Sequence, residues 1–281
     1  MNASSGQEIE TGSFAPTLSV LWPPGSVRVV DWNINRGLKL SGIVEFLKSA
    51  GADLILLQEC DLNARRTQRL NIAQEIARKL QMNYVFGREF QELTQGATDS
   101  PAYHGQATLS RWPLSNPRIL RFNRQSNFWR PRWYLPDIEP LQERLGGRMA
   151  LVIEMNAGGR RVLTYNFHLE SRGDDRLRCS QLDECLDDSR RYNAGMPLVM
   201  AGDYNMDVAR TAALAALTQA RFRSVFSNPP DRTTPGSFLE RGRPIDWIFT
   251  RGPVRSDCAS VHTSVSVSDH FPLSARVSFN S

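Results

Sequence analysis

The sequence predicts an α/β protein folded as one large domain, with strands in the majority. Apolar residues recur at helical spacing in four places, and short segments dense in β-branched and aromatic residues run between them. The 281 residues are 41% hydrophobic and 22% charged, a share typical of a globular chain and far above that of a disordered one. Neither a fixed-period repeat nor an internal Gly/Ser/Pro-rich linker divides them. Residues 27–281 are therefore expected to form a single domain behind an N-terminal tail or strap, residues 1–26, which is polar and closes with Pro23-Pro24-Gly25.

Each element follows from a local pattern. VRVVDWNI, residues 27–34, has the β-branched density of a buried strand. Ile43, Val44, Leu47 and Ala50 mark a helix, ADLILLQE (52–59) a second buried strand, and Ile72, Ala73, Ile76, Ala77 and Leu80 a second helix. Strands follow at 84–90, 106–109 and 118–122. A hairpin is predicted from 148–156, through a turn at Ala157-Gly158-Gly159, to 162–168. A helix over 174–192 puts Cys179, Leu182, Cys185 and Leu186 on one face, where the cysteines read as small core residues rather than a redox or metal pair. A strand at 197–201, an Ala-rich helix at 209–219 and strands near 222–226, 245–250, 258–264 and 273–279 complete the chain.

Composition excludes several classes. No stretch approaches the roughly 20 apolar residues that span a bilayer, and the run from Leu18 to Trp22 is too short for a signal-peptide core. The cysteines at 60, 179, 185 and 258 show neither metal-ligand spacing nor a disulfide framework, so a reduced, cytoplasmic protein is expected. The 34 basic residues against 29 acidic ones, a net charge of +5, favour anionic partners. Nothing in the chain demands more than a monomer.

The informative feature is a set of polar residues, each at the end of an apolar strand. VVDWNIN offers Asn33 and Asn35, two apart and so on one side of an extended chain. LILLQE ends in Glu59, LTYNFHLES carries His168, and PLVMAGDYN ends in Asp203 and Asn205. IDWIF begins with Asp246, and SVSDHFPL carries Asp269 and His270 just before Pro272, where loop becomes strand. Each alone reads equally as a turn residue, a surface charge or a satisfied core histidine, and Asp246 could pair with Arg243. Together they point to one shared cleft of the kind α/β folds use for ligands. Only four His are present, and neither HExxH, GxSxG, a P-loop nor a strand-borne GxGxxG occurs. Carboxylate and amide oxygens suit a hard cation, and with histidines they point to phosphoryl chemistry using water as nucleophile.

WNIN, LLQE, GQATLSRWPL, FHLES, GDYN, IDWIF and SDHFPL stand in an order that resembles the endonuclease/exonuclease/phosphatase superfamily, from about Val27 to Phe279. The resemblance implies the deoxyribonuclease I-like fold: a four-layer α/β sandwich of two mixed β-sheets packed face to face, with helices outside. It implies Glu59 as principal Mg²⁺ ligand, with Mn²⁺ a possible substitute, assisted by Asn33 and Asp269. Asp246 would accept a hydrogen bond from His270 and hold its tautomer. His270 or Asp203 would act on the attacking water, and Asn205 and His168 would donate to phosphate oxygens. The activity implied is metal-assisted phosphodiester hydrolysis. Phosphomonoesterase or sphingomyelinase-like action on lipid or sugar phosphates is the alternative, and a catalytically inactive binding module the reading from a different class. Asn35 either helps the site or caps the turn, and His104 is expected in a loop.

Residues 111–134, RWPLSNPRILRFNRQSNFWRPRWY, hold six Arg and no acid, with aromatics interleaved. That composition suits single-stranded nucleic acid, an anionic membrane surface, or simply a strand and loop with core aromatics and solvated Arg. Nucleic acid is favoured over a lipid headgroup. FHLESRGDDR is similar to the matching segment of tyrosyl-DNA phosphodiesterases and would set Arg172 beside the site. Arg172 and Arg148 are the substrate-binding candidates, although Arg144 and Arg148 around Gly146-Gly147 also read as residues that merely solvate the hairpin.

Overall fold

The computed structural model describes residues 8–16, 25–138, 141–236 and 241–279. In chain order the strands are β1 (Ile9–Ser13), β2 (Ser26–Arg36), β3 (Leu54–Leu62), β4 (Asn83–Glu92), β5 (Ala102–Ser110), β6 (Leu114–Arg121) and β7 (Arg144–Gly146). They continue with β8 (Met149–Ala157), β9 (Arg160–His168), β10 (Leu198–Asp203), β11 (Arg223–Ser224), β12 (Asp246–Arg251), β13 (Val254–Val261) and β14 (Leu273–Phe279). The helices are α1 (Leu40–Ala50), α2 (Ile72–Leu80), α3 (Asp175–Ser189) and α4 (Ala212–Gln219). Asn71 and Asp174 start α2 and α3 by accepting the N–H groups of Gln74 and Leu177 on their side chains.

Two mixed sheets form. One runs β1-β4-β5-β3-β2-β14-β13, with β7 also on β4; the other runs β11-β12-β10-β9-β8-β6. Strand alternation sorts the apolar residues into three layers. Val30, Trp32 and Ile34 of β2 face α1 and α2, among Ile43, Leu47, Ile76 and Ala77. Tyr165, Phe167, Met200 and Phe249 face α3 and α4. Val27, Val29, Leu54 and Leu56 meet Val162, Val199, Ala201 and Ile248 between the sheets. The result is the expected helix–sheet–sheet–helix sandwich. Among the described residues, no helix is long and apolar enough to cross a membrane.

Three local expectations change. Ile9–Ser13, inside the segment expected to be a tail or strap outside the core, pairs antiparallel with β4 as an edge strand; residues 1–7 and 17–24 of that segment lie outside the described residues. His104 is not a loop residue but a fully buried member of β5. Arg144 and Arg148 do not solvate the hairpin; both are buried, because acidic side chains of β4 and the loop after β9 converge on them. The hairpin itself turns as predicted, with Gly158 and Gly159 at φ 60° and 89° between the paired Ala157 and Arg160.

Candidate active site

The site lies where the inter-sheet faces of the strands run out. Along β2 the residues 27, 29, 31 and 33 share one face, so Asn33 continues the line of Val27 and Val29 past the apolar core. The same parity carries His168 beyond Val162, Asp203 beyond Val199 and Ala201, and places Asp246 two residues before Ile248. Sheet register then aligns them: Asp203 of β10 stands opposite His168 of β9 on one side and Asp246 of β12 on the other. Gly202 makes that approach possible. A Cβ there would sit 1.9 Å from the Phe167 carbonyl oxygen, and its φ of 149° disfavours any side chain.

Glu59 arrives differently. Leu54, Leu56 and Gln58 face the other sheet, so strict alternation would turn Glu59 toward the helices. The β3–β5 register instead shifts between Leu57 and Cys60, a β-bulge, and Glu59 adopts φ 55°. A left-handed conformation at a non-glycine residue is costly and concentrates at functional sites. Here it returns the carboxylate to the cleft, with Oε1 3.3 Å from Asn33 Nδ2 and 3.9 Å from His168 Nδ1.

Asp203 is the hub. Its Oδ2 accepts from Asn33 Nδ2 (3.2 Å), lies 3.3 Å from His168 Nε2 and 3.7 Å from His270 Nε2. Its Oδ1 accepts the Asn205 N–H at 2.8 Å. His270 is set by its other nitrogen, with Nδ1 2.9 Å from both Asp246 oxygens, and by Trp32 Nε1 donating to its carbonyl at 2.9 Å. Asp246 is 1% exposed, far from the surface pairing with Arg243 that the sequence left open. Asn35 and Asn205 leave the strand direction at φ 43° and 53°. The Asn35 N–H donates to Asn33 Oδ1, and Asn205 Nδ2 donates to the Leu169 carbonyl. The Asn35 N–H on Asn33 and the Asn205 N–H on Asp203 make Asx-type turns that brace the two strand ends. Asp269 is exposed at the rim, held by Ser268 Oγ at 3.2 Å.

Protonation follows from these neighbours. Burial opposes charge on Glu59, but His104, Arg36 and Arg144 outweigh it and hold the carboxyl well below the usual range. Burial, helped by the Arg148 charge, keeps His168 neutral. Burial would do the same to His270, yet Asp246 and Asp203 raise it to about 10. Burial and the Asp246 charge push Asp203 upward. The site thus pairs a neutral histidine with an imidazolium across one carboxylate.

Glu59 and Asp269 carry carboxylate oxygens of the kind a hard divalent cation takes, whereas Asn33 turns its amide nitrogen to Glu59 and Asp203 and its Oδ1 to the Asn35 N–H, so it would have to flip to ligate one. The buried His168 Nδ1 has no hydrogen-bond partner among the described residues and stands 3.9 Å from Glu59 Oε1, which leaves a polar gap beside the carboxylate that a cation's bound water fits. Ligand atoms of Asp203, Asp246 and His270 also lie within 4.8 Å of one another. There, however, the Asp246 oxygens are already taken by His270 and Thr233, so that trio is built as a hydrogen-bonded relay.

Arg148 is withdrawn from direct substrate contact: it is 2% exposed, with Nη1 3.3 Å from Glu89 Oε2 and Nη2 3.0 Å from Ser171 Oγ. It acts on the site through charge. Arg172 is exposed, its guanidinium 4.6 Å from the Phe128 ring centroid. Sequence reasoning missed four participants. Thr233 donates to Asp246 Oδ2 at 2.5 Å. Behind the cleft, Gln58 Nε2 donates to Asp31 (2.9 Å) and to Asn166 (2.8 Å). Asp31, raised by burial and by Asp246, was legible as an acid inside a buried strand at the parity of Asn33. Thr233, in a loop, gave no signal.

The model of the Endonuclease/Exonuclease/phosphatase family matches residues 32–270. No curated protein matches the chain in sequence. Among solved structures, an endonuclease/exonuclease/phosphatase from Beutenbergia cavernae superposes with a TM-score of 0.67 at 16% identity, covering 92% of this chain and 72% of that one. The human Nocturnin catalytic domain with bound sulfate gives 0.66 at 17% identity, covering 97% and 98%. TDP2 from Caenorhabditis elegans gives 0.61 at 18%, covering 90% and 74%. The matched span contains every residue of the cleft, and the chain belongs to the endonuclease/exonuclease/phosphatase family.

Proposed function

We propose that the protein hydrolyses phosphodiester bonds with the help of a divalent cation, Mg²⁺ with Mn²⁺ as substitute, and that its substrate is nucleic acid rather than a lipid headgroup. The observation that carries this reading is the alignment of His168, Asp203 and Asp246 on three neighbouring strands with His270 and Glu59 closing the same cleft. A hard cation held by Glu59, Asn33 and Asp269 would supply the positive charge that polarises a phosphate oxygen. The remaining parts are protein groups. Asp203 orients the attacking water and accepts its proton. The His270 imidazolium, fixed by Asp246, faces the developing negative charge and holds a proton at Nε2 for the leaving oxygen. Asn205 and His168 complete the set of donors.

The test is hydrolysis of bis-p-nitrophenyl phosphate against p-nitrophenyl phosphate with Mg²⁺, Mn²⁺ or EDTA, in wild type, Glu59→Ala and His270→Ala. Metal-dependent turnover that prefers the diester and falls by about 100-fold or more in both variants supports the reading. Preference for the monoester would replace it with a phosphatase. Metal binding without turnover on these esters, on DNA or on a lipid phosphodiester would replace it with a binding module.

A further inference from the structure

The segment after β6, residues 122–138, carries chemistry that the cleft does not use. Its base docks on the loop that follows His168. Trp129 Nε1 donates to Glu170 Oε1 at 3.1 Å, and the guanidinium groups of Arg132 and Arg172 lie 4.8 and 4.6 Å from the Phe128 ring centroid. Gln142 clasps the arm from the far side. Its Oε1 accepts the Arg132 N–H at 2.7 Å, and its Nε2 donates to Asp137 at 2.6 Å. Beyond the clasp, Trp133 and Tyr134 project edge to face, their centroids 5.8 Å apart, with 94% and 64% of their surface in water. Such exposure contributes nothing to folding, and large exposed aromatics mark interaction surfaces.

Charge points to the partner. Of the six Arg in 111–134, Arg111, Arg118 and Arg121 are taken up by Asp53, Asp188 and Glu8. Arg124, Arg130 and Arg132, together with Arg172, form no ion pair among the described residues. The arm thus offers unneutralised guanidinium groups at its base and two open aromatic faces at its tip.

We infer that this arm grips single-stranded nucleic acid, with unpaired bases stacked on Trp133 and Tyr134 and the phosphates lying against Arg130, Arg132 and Arg172. The inference deepens the phosphodiesterase reading and rests on it for direction, since Arg172 stands four residues beyond His168 and joins arm to cleft. Exposed rings accept any unstacked base, whereas bases in a duplex are occupied by their neighbours. Guanidinium groups without an acidic partner supply the salt-sensitive attraction to phosphates. An anionic bilayer would use the same rings and charges, and the vesicle measurement below separates it from nucleic acid.

The experiment measures anisotropy of labelled oligo(dT) and of an equally long duplex with the full chain in EDTA, which suspends cleavage. Trp133→Ala/Tyr134→Ala should weaken oligo(dT) binding about tenfold or more, leave duplex binding within about twofold, and be rescued by Trp133→Phe/Tyr134→Phe. Arg172→Ala should flatten the dependence of log K on log salt by about 0.7–1. Because both rings lie in water, the double variant should keep the wild-type melting temperature and bis-p-nitrophenyl phosphate turnover. Unchanged oligo(dT) affinity in the double variant overturns the inference. So does ring-dependent sedimentation with phosphatidylglycerol/phosphatidylcholine vesicles while oligo(dT) affinity is ring-independent. Ring-dependent oligo(dT) binding without diester turnover would keep the arm and remove the catalytic reading; turnover with ring-independent binding would do the reverse.

Discussion

Thr233→Val tests the His270–Asp246 relay without touching either member. The substitution keeps shape and removes one hydroxyl, in a residue that is fully buried. That hydroxyl donates to Asp246 Oδ2 at 2.5 Å and accepts the N–H groups of Ile245 and Asp246, both at 3.0 Å. Losing a hydrogen bond to a charged group costs about 1.5–3 kcal/mol, and each orphaned buried donor about 1–3 kcal/mol more. Allowing for incomplete additivity, the expected loss is about 3–5 kcal/mol. At about 2–4 °C per kcal/mol, the melting temperature should fall by roughly 6–20 °C. Turnover of bis-p-nitrophenyl phosphate should drop by about 10–100-fold, as for other groups that orient a site residue. Urea unfolding and steady-state rates read both quantities, and Thr233→Ser should restore them. A Thr233→Val protein within about 0.5 kcal/mol of wild type, with unaltered turnover, would refute the view that this hydroxyl anchors the relay.

Glu59→Gln preserves size but removes the charge that the surrounding cations stabilise; titration calorimetry with Mn²⁺ should show at least tenfold weaker binding, and turnover should fall about 100-fold. Arg66 holds Asp61 by two contacts of 2.7 Å and Glu92 at 3.1 Å, both carboxylates fully buried. Arg66→Ala leaves Asp61 without a guanidinium partner, while Glu92 keeps Arg144, and should cost about 3–5 kcal/mol in urea unfolding. The two site histidines should titrate on opposite sides of neutrality in the metal-free protein. His168, depressed from 6.5 by burial, stays neutral at pH 6, and the stability it contributes is present above pH 6.5 and lost as pH falls. His270, raised to about 10, remains an imidazolium at pH 8, and its contribution is present below 6.5 and lost as pH rises toward 10. Imidazole nitrogen shifts against pH check both, and equal titration of the two rings contradicts the assignment. Gly202→Ala forces a Cβ against the Phe167 carbonyl, so it should either abolish soluble expression or remove turnover along with several degrees of melting temperature.

Most of the fold could be read locally. Alternation in VRVVDWNI and PLVMAGD, helical spacing in 43–50 and 72–80, and the paired glycines at 158–159 each encode their element through neighbours a few residues away. The same alternation made most of the site legible, because a polar residue at the parity of inward-facing Val or Ala extends the core face past its end. Asn33, His168, Asp203 and Asp246 lie at that parity, while Glu59 and His270 were legible only as polar residues at the end of a strand, and the family motifs then gave each a role.

Local patterns misplaced other residues for a common reason. His104 looked like loop because PAYHG is rich in turn formers, yet Asp61 and Glu92 on neighbouring strands accommodate it in β5. Arg144 and Arg148 looked solvated because arginine usually is, yet Glu89, Glu92 and Glu170 sit close enough to balance their charge in the interior. Ile9–Ser13 looked like tail because an edge strand needs only one partner, β4, some seventy residues away. The sequence by itself determined the element types, the layer each apolar face would join and the family of the chain. These depend on periodicity and order along the chain. Only the tertiary structure decided which charges pair, which histidine is neutral, how the bulge re-aims Glu59, and that a threonine far outside every motif holds Asp246. Those outcomes depend on distances between residues remote in sequence, and desolvation and Coulomb interaction act through space rather than along the backbone.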